Sequence, residues 1–346
     1  MSSVHPLVQM LTSYWVSRAL YTAARLGVAD AIHQLGQGGA VPVEQLAERV
    51  GAHPSALRRL LRALASVGVF REEGEPHSGR YGLTPLAEHL RADSPDSLRH
   101  AALMYGEEMA AAWQELPSAL QDERPAWEKI LGESHFGYYQ THPGPARIFD
   151  KAMGELGRAM YSDEALVSSY DFTAALGPDA TVVDAGGGLG RFLACVLRAH
   201  PALRGVLYDL PHVIEAAECT HEGTPERARL SFEAGSFFER MPAGADAYVL
   251  KRVLHDWDDA ACVALLTQVS RAMKPSGRVL VVEMLIPPGN EESFSKWIDL
   301  HMLVVTGGRE RSEQEFSALF SRAGLSLVRV HRTPTLLCLI EAALLR

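Results

Sequence analysis

Val182-Val183-Asp184, then glycines at 186, 187, 188 and 190, then an apolar helical pattern from Phe192, leave this chain few ways to fold. Two β-branched residues favour a strand, and the glycines permit a tight turn that side chains would block. Strand, glycine turn and helix in that order let a backbone come close to a nucleotide-bearing cofactor. A second apolar run, Val206-Leu207-Tyr208, closes on Asp209, whose carboxylate suits two ribose hydroxyls.

A dinucleotide fingerprint needs a small residue three places after its second glycine, and with Gly186 and Gly188 as the pair that place holds Arg191. The pattern here, Asp-x-Gly-x-Gly-x-Gly, fits a cofactor without a pyrophosphate. S-adenosylmethionine is the candidate.

The rest of the carboxyl-terminal half alternates. Strands are expected at Thr181 to Asp184, Gly205 to Tyr208, Ala247 to Lys251 and Arg278 to Glu283, with helices between them. A final strand pair, about 325–332 and 336–342, follows a helix at 312–323. Such alternation ending in a close strand pair predicts a doubly wound sheet with an antiparallel edge. Ligands of these sheets sit at the carboxyl ends of the strands. Asp184, Asp209, Ser236, Lys251 to His255 and Glu283 all fall there, which predicts one active site.

The first half is helical by period, with Leu7, Met10, Leu11, Tyr14, Trp15, Ala19 and Leu20 at three- and four-residue steps. Helices around Val43 to Ala47 and Pro54 to Val67 precede a polar loop, Glu72 to Arg80, flanked by short β-like runs; this is the outline of a winged helix. Arg58, Arg59 and Arg62 on its second helix invite a DNA-binding reading, but a net charge of -9 opposes it, since neutralising phosphates requires a basic face. Residues 1–92 are read as this domain, 93–165 as a helical connecting region rich in aromatics and methionines, and 166–346 as the cofactor domain. No apolar run is long enough to span a bilayer. The amino terminus lacks a signal pattern. Cys195, Cys219, Cys262 and Cys338 show no paired spacing, so a cytoplasmic protein with reduced thiols is expected.

Val249-Leu250-Lys251-Arg252-Val253-Leu254-His255-Asp256-Trp257 reads as a buried strand running into a polar, aromatic tip. Together with the glycine loop, Tyr14 to Leu20, Asp209-Leu210-Pro211-His212-Val213 and Gly307-Gly308-Arg309-Glu310-Arg311-Ser312, it resembles the class I S-adenosylmethionine-dependent O-methyltransferases. The branch is the one shared by plant phenylpropanoid and bacterial polyketide-tailoring enzymes. The resemblance covers nearly the whole chain. It implies a winged-helix dimerisation domain in a homodimer, a Rossmann-like catalytic domain, no metal, and a phenolic or polyketide-like acceptor.

Moving a methyl from a sulfonium to a phenol needs in-line placement and gains from a general base. The resemblance gives His255 the role of base, with Glu283 and Glu310 flanking it. It assigns Asp184, Gly186, Gly188, Asp209, Leu210, Ser236, Phe237, Lys251 and Arg252 to the cofactor side, and Phe149, Met153, Asp256, Trp257, Asp299 and Met302, with His301 near them, to the acceptor. Ser236 departs from the family, which usually carries Asp there; a hydroxyl bonds without charge, and somewhat weaker cofactor binding is expected. That departure also leaves room for an alternative, a methyltransferase-fold enzyme doing hydroxylation, decarboxylation or pericyclic chemistry. A winged-helix regulator with a ligand-sensing half is the remaining reading.

Overall fold

The computed structural model describes residues 4–75 and 78–345. The chain divides into two units, one of residues 1–114 and 133–159, the other of 115–132 and 160–346. The stretch between 93 and 165 is thus shared by both.

The first unit is mostly helical. Helices Pro6–Thr12, Tyr14–Leu26 and Val28–Gly36 precede Val43–Val50 and Pro54–Ser66. A small sheet of β1 (Val41–Pro42), β2 (Phe70–Glu72) and β3 (Arg80–Leu83), in the order β1-β3-β2 and antiparallel throughout, makes the wing. Leu57, Leu61 and Leu64 supply one face of their helix to a core with Ile32, Leu46, Phe70 and Tyr81. Ser13 interrupts the amino-terminal helical series, and Leu7, Met10, Leu11, Tyr14 and Trp15 beside it are exposed.

The second unit holds a seven-stranded sheet ordered β6-β5-β4-β7-β8-β10-β9. Its strands are β4 (Thr181–Ala185), β5 (Arg204–Asp209), β6 (Leu230–Ala234), β7 (Ala247–Lys251), β8 (Arg278–Glu283), β9 (Leu325–Arg332) and β10 (Cys338–Leu344). The first five run parallel, and β10 is antiparallel to both β8 and β9. This is the doubly wound sheet with an antiparallel edge that the alternation predicts, a class I methyltransferase fold. The parallel strands are apolar on both sides, so Val182, Leu207, Val249 and Leu280 enter one core, and Val183, Tyr208, Tyr248 and Val281 the other. β6 was not anticipated; Leu230-Ser-Phe-Glu-Ala is short and partly polar because it is the edge, with one neighbour and little to bury. Among the described residues no helix is long and apolar enough to cross a membrane.

Candidate active site

Where β4 passes into the helix Arg191–Ala199, the chain turns through Gly186, Gly188 and Gly190, all with positive φ (+71°, +59° and +73°). A Cβ at Gly186 would stand 2.9 Å from Val253 and 3.4 Å from Phe237, so only glycine lets this loop lie against the chain after β7. Asp209, at the end of β5, accepts from the Gly188 amide at 2.9 Å and from the Leu210 amide at 2.7 Å. Burial raises its carboxyl above the ordinary range.

Asp184, the last residue but one of β4, is a buried carboxylate with no hydrogen-bond partner of good geometry on either oxygen. Burial pushes it up to about 7, against the pull of Lys251 and of the Leu193 amide. Lys251 is spent elsewhere: its Nζ pairs with Asp163 at 2.7 Å and lies 5.4 Å from the Phe192 ring centroid. Leu210 is exposed, and the Phe237 ring meets Phe238 and Trp257 edge-on. The Ser236 hydroxyl accepts from the Phe238 amide at 3.3 Å, closing its own turn. An orphaned acid, a cradle that a Cβ would fill and an acid at the ribose position fit S-adenosylmethionine, a cofactor with cationic groups and a ribose.

A second cluster forms where β7 and β8 end. Arg252 takes a left-handed backbone (φ +55°), and its Nη1 donates to Glu283 at 3.0 Å and to Glu310 at 2.9 Å. Its Nη2 lies 3.0 Å from His255 Nδ1. The resemblance assigns Arg252 to the cofactor side; its guanidinium lies among the base candidates. Glu283 also accepts from the Val253 amide at 3.0 Å and the His255 amide at 3.4 Å, so it closes the short turn Leu254–Asp256 from below. Glu310 reaches His255 Nδ1 at 3.2 Å, and Asp256 stands 3.7 Å from Nε2. Burial and Arg252 depress the His255 pKa, yet Asp256, Glu283 and Glu310 outweigh them and hold it above its ordinary value. Burial would raise Glu310, but the bonds from His255 and Arg252 bring it below its usual range.

The turn is held from outside by a residue of the Gly307–Ser312 motif to which the sequence alone assigns no role. Arg311, fully buried, donates to the carbonyls of Leu254 at 3.0 Å and Trp257 at 2.9 Å while pairing with Asp259 at 2.8 Å. The Arg309 amide holds the His255 carbonyl at 2.8 Å, and a Cβ at Gly308 would collide with that carbonyl. Asp299 accepts from the Glu310 amide at 3.0 Å. Tyr161, also unforeseen, faces Arg252, Glu310 and Glu283 from the start of the second segment of its unit. Its signal in the sequence is faint, one aromatic before a helix cap. His301 is held neutral, its pKa lowered by burial and by His255 to about 4. Met302 is buried in the core. Trp257 packs on Phe238 with centroids 4.8 Å apart. Phe149 and Met153 belong to the first unit, where Phe149 stacks on Tyr139 at 4.5 Å and Met153 is exposed.

The model of an O-methyltransferase domain matches residues 113–326, and that of an O-methyltransferase dimerisation domain matches 8–93. The chain belongs to the O-methyltransferase family. It is 42% identical to the phenazine O-methyltransferase PhzM of Lysobacter antibioticus, over 97% of this chain and 95% of that one. It is 32% identical to the phenazine-1-carboxylate N-methyltransferase of Pseudomonas aeruginosa, over 99% and 98%. The solved structure of NcsB1, an O-methyltransferase from neocarzinostatin biosynthesis in complex with S-adenosylmethionine and 2-hydroxy-5-methyl naphthoic acid, superposes with a TM-score of 0.83 at 33% identity, covering 99% of this chain and all of that one. This O-methyltransferase is therefore of the S-adenosylmethionine-dependent class, with relatives in bacterial natural-product biosynthesis.

Proposed function

We propose that this O-methyltransferase methylates a hydroxyl of a flat aromatic small molecule, with His255 as general base and without a metal. The observation that carries this reading is the contact of the Gly186 turn with Val253, which puts the cofactor cradle two residues from His255. S-adenosylmethionine, when bound, supplies an electrophilic methyl group. Asp209 is suited to hold its ribose hydroxyls and Asp184 its cationic end. His255 accepts the phenolic proton as the oxygen attacks, and Glu310 steadies the imidazolium that results. A phenol near pKa ~10 is mostly protonated at neutral pH, and a positioned base adds ~100- to 10,000-fold.

His255, Glu283 and Glu310 bring ligand-type atoms within 4.8 Å of one another, a grouping that elsewhere holds metal ions. Here the Arg252 guanidinium bonds to all three side chains and is already their countercharge. Chelator treatment is expected to leave turnover unchanged. Phenazine and hydroxynaphthoate acceptors, the classes carried by the names of relatives, are the first to assay. The exposed apolar residues Met10, Leu11, Tyr14 and Trp15, inside the matched dimerisation domain, support a homodimer, and light scattering on the purified protein reads it.

Calorimetric titration of S-adenosylmethionine and its demethylated product into wild type and His255→Asn tests the assignment. Both proteins should bind both ligands alike, while His255→Asn loses ~100- to 10,000-fold in turnover. Retained turnover removes His255 from the reaction. Absent binding in the wild type removes the cofactor site.

A further inference from the structure

The turn between β4 and the helix Arg191–Ala199 is rich in glycine, a residue that leaves a loop many conformations unless something fixes it. Backbone and rim acid fix part of it. The Gly186 amide donates to the Tyr208 carbonyl at 2.8 Å, the Gly188 amide to Asp209 at 2.9 Å, and the Gly190 amide to the Gly187 carbonyl at 3.0 Å. A further hold comes from a side chain 32 residues along the chain. His221, the last residue of the helix Pro211–His221, places its Nε2 2.8 Å from the Leu189 carbonyl. A carbonyl only accepts, so Nε2 carries a proton, and neutral His221 is the Nε2–H tautomer. Its Nδ1 is buried and has no hydrogen-bond partner among the described residues, so the ring's polar contact is spent on the turn. The ring is seated closely. A Cβ at Gly190 would stand 3.0 Å from Nε2 and 2.9 Å from Leu207, and the Phe232 ring lies 6.0 Å away between centroids. The His221 carbonyl is itself pinned by the Thr224 amide at 3.1 Å and hydroxyl at 2.9 Å.

We propose that His221 is a positioning residue for the cofactor turn: its Nε2–H holds the Leu189 carbonyl and keeps residues 186–190 in the form that receives S-adenosylmethionine. The proposal rests on that turn being the cofactor cradle. The Leu189 side chain is exposed and packs too little to anchor the turn, which leaves the grip to its carbonyl. Gly188, beside it in the chain, gives its amide to Asp209, the carboxylate suited to the ribose. Release at Leu189 therefore loosens the Gly188–Asp209 bond as well. A protein whose binding-competent form is only partly populated loses affinity in proportion. One neutral hydrogen bond moves the balance between held and released turn by about 2- to 10-fold.

Calorimetric titration of S-adenosylmethionine into the full chain, at a temperature where every variant is folded, tests this on wild type, His221→Met and His221→Gln. Methionine fills the length of the ring without a donor. Glutamine carries an amide nitrogen as many bonds from the backbone as Nε2, and it can donate to the same carbonyl. His221→Met should bind about 2- to 10-fold more weakly than wild type, and His221→Gln should recover most of the loss. Without cofactor, the Gly188 amide should exchange with solvent faster in His221→Met by a similar factor. A merely structural role would weaken both variants alike. His221→Met binding as tightly as wild type overturns the proposal, and so does His221→Gln binding no better than His221→Met. Should His221→Met fail to fold, nuclear magnetic resonance of wild type with labelled histidine rings decides. Above the titration midpoint Nε2–H supports the proposal, and Nδ1–H overturns it, because a bare Nε2 cannot bond a carbonyl. Failure of the cradle itself appears separately, as wild-type affinity retained in Asp209→Ala.

Discussion

Two groups of buried acids at the carboxyl ends of the same sheet are treated in opposite ways. Glu283 and Glu310 share one guanidinium, and Glu283 takes two backbone amides besides. Asp184, on β4 two strands from β8, has no such partner, and Lys251 beside it is bound to Asp163. In the base cluster Glu310 Oε2 is left without a hydrogen-bond partner while the other carboxylate oxygens are paired, whereas Asp184 lacks a partner on both oxygens and is left open to a ligand. Charge satisfied from within makes a rigid constellation; charge left unsatisfied stores affinity for a cation at the expense of stability.

The difference should show in opposite signs. Glu283→Ala takes one of its two carboxylates from the Arg252 guanidinium and leaves the Val253 and His255 amides without their acceptor, and is expected to cost about 3–5 kcal/mol in denaturant unfolding. Asp184→Asn should do the reverse. A carboxyl raised from 3.8 to about 7 on folding contributes stability at low pH that is lost as pH climbs through about 7. At pH 8 the amide is therefore expected to unfold later than the acid, by on the order of 2 kcal/mol, while binding S-adenosylmethionine more weakly. A mutant that destabilises at pH 8 and leaves affinity intact would erase the contrast.

Proton linkage sharpens it further. A cation favours the ionised form of Asp184, so affinity for S-adenosylmethionine should fall as pH drops below about 7, with proton release visible in calorimetry across buffers of different ionisation enthalpy. Asp184→Asn should flatten that dependence. His255 works as a base only when neutral, and its pKa is raised, so turnover should climb with pH along a limb centred above 6.5. The smallest effect belongs to Ser236. Replacing it with Asp adds a charge-assisted acceptor, worth up to ~2 kcal/mol over a neutral one before the loss of its bond to the Phe238 amide; a tighter dissociation constant by several-fold is the expected reading.

Much of this molecule was legible before any coordinates. Periodicity separated the helical amino-terminal half from the alternating half, and the glycine run with Asp184 and Asp209 located the cofactor turn, because those features depend on residues close in sequence. His255, Glu283 and Glu310 were singled out by motif and strand-end position, and the structure brings them together within one hydrogen-bonded cluster. Edge strand β6 escaped because a half-paired strand needs little hydrophobic patterning. Arg311 lay in a quoted motif, yet its grip on the Leu254 and Trp257 carbonyls joins positions 57 and 54 residues apart, which no local pattern encodes.

Sequence by itself determined the sheet, its glycine turn, the acids at its rim and the family, since strand propensity, glycine freedom and residue order are properties of short stretches. Tertiary structure alone decided which charges are paired. That Lys251 turns to Asp163, that Arg252 turns to His255 and two glutamates, and that Asp184 is left without either cation depends on side chains converging from separate strands and turns. Electrostatic energy in a buried site follows those distances, and a linear chain does not contain them.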